Sequence, residues 1–175
     1  LTLTEGRRAT WSSSIPFASQ QPQVIYKVGE ARPRRIDDLR GRSIAVMANS
    51  SHLEMLETLR AEGRDWLQWT AAGTSDPMEL LVQVRDDTVD VAIVDSRDFM
   101  LQQNLVPRLE RAFDIGPQRD IVWFLPGDSA GSTLLERVNA FLEEQQTSGA
   151  LAALTRRHFY RDTEISRVDS QTFVS

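Results

Sequence analysis

Two short apolar runs, each tied to a helix start, limit what this chain can fold into. Ser43-Ile44-Ala45-Val46-Met47 is continuous and β-branched, the pattern of a parallel strand buried on both faces. Asn49-Ser50-Ser51 follows at once, and Ser51-His52-Leu53-Glu54 has capping-box spacing. That spacing predicts a helix to about Arg60 with Leu53, Leu56 and Leu59 on its buried side. Val89-Asp90-Val91-Ala92-Ile93-Val94 is the second buried run, ending at Asp95-Ser96. Before it, Asp76-Pro77-Met78-Glu79 places a cap, a proline at the first helical position and a glutamate at the third. The helix so opened buries Leu80, Leu81 and Val84. Strand, helix, helix, strand in this order predicts parallel pairing through a right-handed crossover, hence an α/β class.

Further elements flank this unit. Gln23-Val24-Ile25-Tyr26-Lys27-Val28 reads as a strand with a turn at Gly29, and Arg32-Pro33-Arg34-Arg35 as an exposed connector. Val122-Trp123-Phe124-Leu125 is a later strand. Thr133 caps a longer helix with Leu134, Leu135, Val138, Phe141 and Leu142 at helical spacing, and Gly149 separates it from a last helix through Leu151 and Leu154. Trp66, Trp69 and Trp123 read as core or groove-edge residues.

Composition narrows the function classes. In 175 residues, 41% are hydrophobic and 26% charged, which is ordinary for a folded domain. The formal charge is −5 and no basic run is dense enough to track a phosphate backbone, so nucleic acid is not an expected partner. The absence of cysteine excludes thiol nucleophiles, Cys-ligated metals and disulfides. No apolar stretch reaches the roughly 18 to 20 residues of a membrane span, and no charged-then-apolar leader precedes Leu1.

Ligands of open parallel sheets bind beyond the carboxyl ends of the strands. Asn49, Ser50 and Ser51 offer hydroxyls and backbone N–H groups at a helix start, suited to a carboxylate. Asp95 ends the other strand and suits a ligand ammonium. Ser51 and Asp95 read equally as helix caps, and the two roles can coexist. Catalytic machinery is not evident. Gly127-Asp128-Ser129-Ala130-Gly131 resembles the nucleophile loop of chymotrypsin-like proteases, but that mechanism needs His and Asp upstream on an all-β scaffold. His52 sits at a helix start and His158 near a helix end, so no metal site is expected. Glu143-Glu144 is the wet face of a helix. No cofactor is expected.

The order of motifs resembles the extracytoplasmic solute-binding proteins of polar amino-acid transporters. Thr2-Leu3-Thr4-Glu5-Gly6-Arg7, Ser14-Ile15-Pro16-Phe17 and the strand Val24 to Val28 are similar to that family's first lobe, where hydroxyls and one arginine hold the ligand carboxylate. Asp38-Leu39-Arg40-Gly41-Arg42-Ser43-Ile44-Ala45-Val46 with Asn49-Ser50-Ser51 resembles the opening of the second lobe. Asn49 stands where transporter-type receptors often carry glycine. Val89 to Asp95 resembles the second ligand strand, whose closing aspartate pairs the ligand amine. Tyr26-Lys27-Val28-Gly29-Glu30-Ala31-Arg32-Pro33-Arg34, Ala112-Phe113-Asp114-Ile115 and the tail Val168-Asp169-Ser170-Gln171-Thr172-Phe173 resemble one branch, the membrane-bound lytic murein transglycosylases F. In that family a solute-binding-like regulatory module precedes a lysozyme-like catalytic module.

The resemblance implies a two-lobed, periplasmic-binding-protein-like type II fold. An incomplete lobe one would comprise residues 1–28 and 117–175, and lobe two residues 29–116. Thr2, Arg7, Asn49, Ser50, Ser51 and Asp95 would bind the ligand in the cleft. It implies a non-catalytic periplasmic module that senses muropeptide stem peptides and controls a covalently following murein-cleaving module, the parent being held at the outer membrane. The alternatives are an amino-acid receptor of a polar amino-acid transporter and a hydrolase using Ser129.

Overall fold

The computed structural model describes residues 1–3, 10–127 and 129–157, without the side chains of residues 129–131. Arg7, the Ser129 side chain, His158 and the tail 168–173, which the sequence reading singled out, lie outside the described residues. The chain divides into two compact units, Leu1–Ser19 with Arg119–Ser175, and Gln20–Gln118.

The first unit is built from short strands. β1 (Ser12–Ser13) pairs antiparallel with β9 (Phe124–Leu125), β2 (Ala18–Gln20) pairs with β8 (Arg119–Ile121), and Thr2 bridges Ile121. Of the expected strand at 122–125 only Phe124–Leu125 is a strand, with Val122 and Trp123 lying between β8 and β9. At Trp123 the backbone turns instead to Ser14, whose N–H donates to the Trp123 carbonyl at 2.9 Å and whose Oγ accepts from the Trp123 N–H at 3.0 Å. The Trp123 ring lies 5.7 Å from that of Phe17. Helix α4 (Ser129–Thr147) begins four residues before its expected cap at Thr133, and α5 (Ala150–Thr155) follows Gly149, whose φ of +74° breaks the helix. Along α4 only Leu142 of the expected apolar stripe is buried; Leu135 and Val138 are half-buried, while Leu134 and Phe141 are exposed. The Asn139 side-chain oxygen accepts from the Ile15 N–H at 2.9 Å, and Gln146 donates to the Pro16 carbonyl at 2.7 Å, which ties α4 to the strand segment.

The second unit is a five-stranded sheet ordered β5-β4-β6-β3-β7. Its strands are β3 (Pro22–Lys27), β4 (Ile44–Met47), β5 (Trp69–Ala72), β6 (Val91–Asp95) and β7 (Leu109–Asp114). β4 runs parallel to β5 and β6, and β3 is antiparallel to β6 and β7. β3, which the sequence reading placed in lobe one, therefore lies inside this sheet, because its buried residues are paired along both of its edges.

Alternation along the strands sorts the core into two layers. Val24, Tyr26, Ile44, Val46, Val91 and Ile93 pack on one face with Met55 and Leu56 of α1 (Ser51–Ala61). Ile25, Ala45, Ala92 and Val94 pack on the other with Leu80, Leu81 and Val84 of α2 (Pro77–Arg85) and Phe99 of α3 (Ser96–Gln102). Both faces are covered, as the continuous apolar runs require. Asp76 caps α2 as expected, its Oδ1 accepting from the Met78 N–H at 2.9 Å. α1 is capped one residue earlier than expected: the Ser50 hydroxyl accepts from the Leu53 N–H at 3.2 Å and donates to the Met47 carbonyl at 2.7 Å.

Two strands of this sheet escaped the sequence reading. β5 exposes Thr70 and Ala71, and β7 carries Glu110, Arg111 and Asp114 among its apolar residues, so neither shows an apolar run. Trp66 and Trp69 pack on the first core layer, with the guanidinium groups of Arg40 and Arg60 over their rings at 4.6 and 3.8 Å.

Three outcomes are expected from denaturation of single variants. Ile93→Ala, at a fully buried site in the central layer, should lower the unfolding free energy by about 2–5 kcal/mol in urea titrations. Gly116→Ala should cost more than about 1 kcal/mol, since φ is +91° there and a Cβ would lie 2.8 Å from the Met55 sulfur. Asp90 joins the starts of β4 and β6, its carboxylate accepting from the Ser43 N–H at 2.6 Å and hydroxyl at 2.7 Å. Desolvation pushes this carboxyl up, but the two Ser43 hydrogen bonds and the Arg42 charge outweigh it and hold the group below its ordinary value of 3.8. A carboxyl lowered by folding contributes stability above its unfolded pKa and loses it as pH falls through the folded one. The stability gap between wild type and Asp90→Asn should therefore be present at neutral pH and close below about pH 3.8; a gap independent of pH would refute the assignment.

Candidate functional site

β4 and β6 are parallel neighbours, so their carboxyl ends open at the same edge of the sheet, where the chain must leave each strand. At the end of β4 the Ala48 N–H donates to the Ala72 carbonyl at 2.9 Å. Asn49 then turns the chain with φ of +55°, a left-handed conformation that glycine fills most easily and asparagine tolerates. This accounts for the residue type at the position where the resembling receptors often have glycine. Ser50 caps α1, and Ser51, expected to be the cap, is instead buried in its first turn. With Ser50 as the cap, the first N–H groups of α1 belong to residues 51 to 53, a local partial positive charge at this edge.

At the end of β6, Asp95 occupies the N-cap position of α3 but makes no capping hydrogen bond. Its carboxylate faces elsewhere. Oδ1 lies 3.1 Å from Nε2 of His52, and Oδ2 accepts from Nε2 of Gln20 at 2.5 Å. A carboxylate has only acceptor capacity, so the imidazole nitrogen facing it carries the proton. The His52 side chain is 1% exposed and the Asp95 side chain 10%. His52 Nδ1 has no partner among the described residues.

Backbone pairing holds Gln20 and Asp95 in register. Pro22 pairs with Asp95 across β3 and β6. The Ser96 N–H donates to the Gln21 carbonyl at 2.9 Å, while Ser96 Oγ accepts from the Gln21 N–H at 3.2 Å. Gln20 is thereby brought beside the end of β6. Asp98, in the first turn of α3, lies in the same field: burial and then the Asp95 charge push its carboxyl up, against the pull of His52 and Arg97.

Of the expected site residues, the structure brings Asn49, Ser50, Ser51 and Asp95 to this edge of the second unit. Thr2 is buried in the first unit on its bridge to Ile121, and Arg7 lies outside the described residues. His52 and Gln20 were missed. His52 was legible in principle: with Met55, Leu56 and Leu59 it forms the i, i+3, i+4, i+7 stripe of a core-facing helix. Gln20 carries no such signal, since its partner is 75 positions away. Among the described residues no group of three or more His, Asp or Glu could hold a metal ion, and no helix is long and apolar enough to cross a membrane.

No protein-family model matches the chain. Among curated proteins, it is 34% identical over 173 residues to a membrane-bound lytic murein transglycosylase F of Ectopseudomonas mendocina, covering 99% of this chain and 35% of that protein. A protein of the same name from Saccharophagus degradans is 35% identical over 147 residues, covering 84% and 29%. The chain thus spans about a third of the length of these relatives. Among solved structures, a mutant ArgBP from T. maritima superposes with a TM-score of 0.78 at 18% identity, over 91% of this chain and 66% of that one. The GluR0 ligand-binding core from Nostoc punctiforme, in complex with (L)-glutamate, gives 0.75 at 19% identity, over 91% and 70%. Over nearly its whole length the chain is homologous to one part of the membrane-bound lytic murein transglycosylase F proteins, and that part has the type II solute-binding fold of the periplasmic amino-acid-binding proteins.

Proposed function

We propose that this chain is a ligand-sensing module, non-catalytic by itself, of a peptidoglycan-cleaving lytic transglycosylase, and that it responds in the periplasm to cell-wall stem peptides. The observation that carries this reading is a mismatch of extents. The alignment takes in 99% of the chain but about a third of relatives named for murein cleavage, and the fold is that of receptors rather than of a glycan-cleaving enzyme. The residues proposed to meet the ligand are Asn49, Ser50 and Ser51 in the second unit, with Asp95 acting through its pair with His52. Thr2 and Arg7 are the proposed contributors from the first unit. Hydroxyls, helix N–H groups and an arginine fork all suit a carboxylate.

Ligand binding would bias the protein toward one conformation, and control of cleavage would follow from different affinities for the two states. The full protein would be periplasmic and attached to the outer membrane. A transporter-type amino-acid receptor is the second reading, favoured by solved neighbours whose names specify arginine or glutamate.

The test is calorimetric titration of the full-length protein with peptidoglycan stem peptides, alongside its murein-cleaving rate. Stem peptide should bind and change the rate, and Arg7→Ala should weaken binding at least tenfold, about 1.4 kcal/mol. Binding of free amino acids without any effect on cleavage would favour the receptor reading, and the absence of any binding would overturn both.

A further inference from the structure

The five-stranded sheet ends in two edge strands, β7 and β5, which are built differently. We propose that β5 is a contact surface for a second copy of this chain, the two β5 strands pairing antiparallel across a two-fold axis at Thr70 so that the sheets join edge to edge. β7 carries the devices that keep an edge from pairing. Glu110 and Arg111 are exposed on it, Arg111 is ion-paired with Asp114, and its register against β3 shifts between Val24 and Ile25. The Arg32 guanidinium takes up the Ala112 carbonyl with hydrogen bonds of 3.2 and 2.8 Å. β5 has none of these. From Leu67 to Ser75 the chain holds no charged residue and no proline. Thr70 and Ala71 are exposed, and among the described elements only β4 packs extensively along the strand.

The main chain fixes which groups are on offer. The Ala72 carbonyl faces β4, where it accepts from the Ala48 N–H. The N–H and C=O of one strand residue point to the same side, and that side alternates along the strand. Thr70 therefore also faces β4, while the N–H and C=O groups of Trp69 and Ala71 point away from the sheet. A two-fold axis at Thr70 sets Trp69 opposite the partner's Ala71 and Ala71 opposite the partner's Trp69. Each pair can then exchange both of its N–H···O=C hydrogen bonds.

Side chains and charge favour a copy of the same strand as the occupant. Trp69 and Ala71 share one face of the strand by alternation, so this register sets each large ring beside a methyl group rather than beside its own copy. Thr70 meets the partner's Thr70, a favourable cross-strand pair. A two-fold axis also brings every charge on the contact near its own copy. The uncharged stretch from Leu67 to Ser75 meets that condition, and β7 with Glu110 and Arg111 does not. The Arg60 guanidinium lies over the Trp69 ring and donates to the Leu67 carbonyl, on the face of the sheet that α1 covers rather than on its edge. The strand is only Trp69–Ala72, so the contact is small and the dimer forms in a concentration-dependent way.

The experiment is sedimentation of the full-length protein over about a hundredfold range of concentration. Wild type should move from monomer toward dimer as concentration rises. Thr70→Lys and Thr70→Glu each place like charges on the axis at an exposed position, and each should weaken association at least tenfold while leaving the thermal midpoint in place. An equal mixture of the two variants, which sets Lys against Glu, should associate again. Hydrogen exchange reads the same contact without a substitution: the Trp69 and Ala71 amides of wild type should exchange more slowly at high concentration. Wild type that stays monomeric throughout overturns the inference. A dimer that persists in both variants, a mixture that fails to associate, or exchange at Trp69 and Ala71 that ignores concentration also overturns it, and none of these results bears on the sensing role.

Discussion

The parallel pairing of β4 with β6 is the constraint on which the second unit depends. Two strands buried on both faces must have apolar residues at every position, and each must be followed by a crossover that returns over the sheet. The crossovers supply α1 for one layer and α2 for the other. Their geometry leaves both carboxyl ends at one edge, so the turn at Asn49 and the carboxylate of Asp95 become neighbours although 46 positions separate them in the chain. The apolar pattern thus builds the core and, with no further instruction, gathers Asn49, Ser50, Ser51 and Asp95 at one edge of the sheet.

What occupies that edge is a hydrogen-bonded pair rather than a vacant charge. Asp95 could have capped α3, the short helix it opens, and instead turns toward His52 and Gln20. Buried ion pairs and charge-assisted hydrogen bonds return little net stability against an apolar replacement, but losing one partner leaves the other stranded. The imidazole, the carboxylate and the Gln20 amide therefore hold one another in place, with the strand register of β3 against β6 setting Gln20 beside Asp95 and α1 carrying His52 to them. Such a cluster behaves as part of the scaffold until something with stronger differential contacts displaces a member.

The two lines of relationship bear on different questions. Identity of 34–35% with transglycosylases over most of the chain is a statement about descent. Superposition with arginine- and glutamate-binding proteins at 18–19% identity is a statement about shape. Together they describe a receptor-like segment within relatives about three times its length. Neither line names the side chains that stand at the strand ends, and here a histidine stands against the aspartate.

Much of the second unit was legible in the amino-acid order. The double-sided strands at Ile44 and Val91, the Asp76-Pro77 cap and the buried face of α2 are local patterns whose physics acts within a few residues, and the structure reproduces them. The cap of α1 shifted by one residue because the Ser50 hydroxyl, not that of Ser51, reaches both the Leu53 N–H and the Met47 carbonyl. β5 and β7 were invisible because their exposed or charged residues carry no apolar period and their pairing depends on neighbours supplied by the fold. The stripe on α4 misled for the related reason that helical spacing identifies a face without saying what covers it, and Phe141 remains half exposed. Sequence alone determined that strand ends would present Asn49, Ser50, Ser51 and Asp95. Only tertiary structure decided that Asp95 would be shared between His52 and Gln20, since a hydrogen bond across 43 or 75 positions exists only once the sheet register has brought its partners within reach.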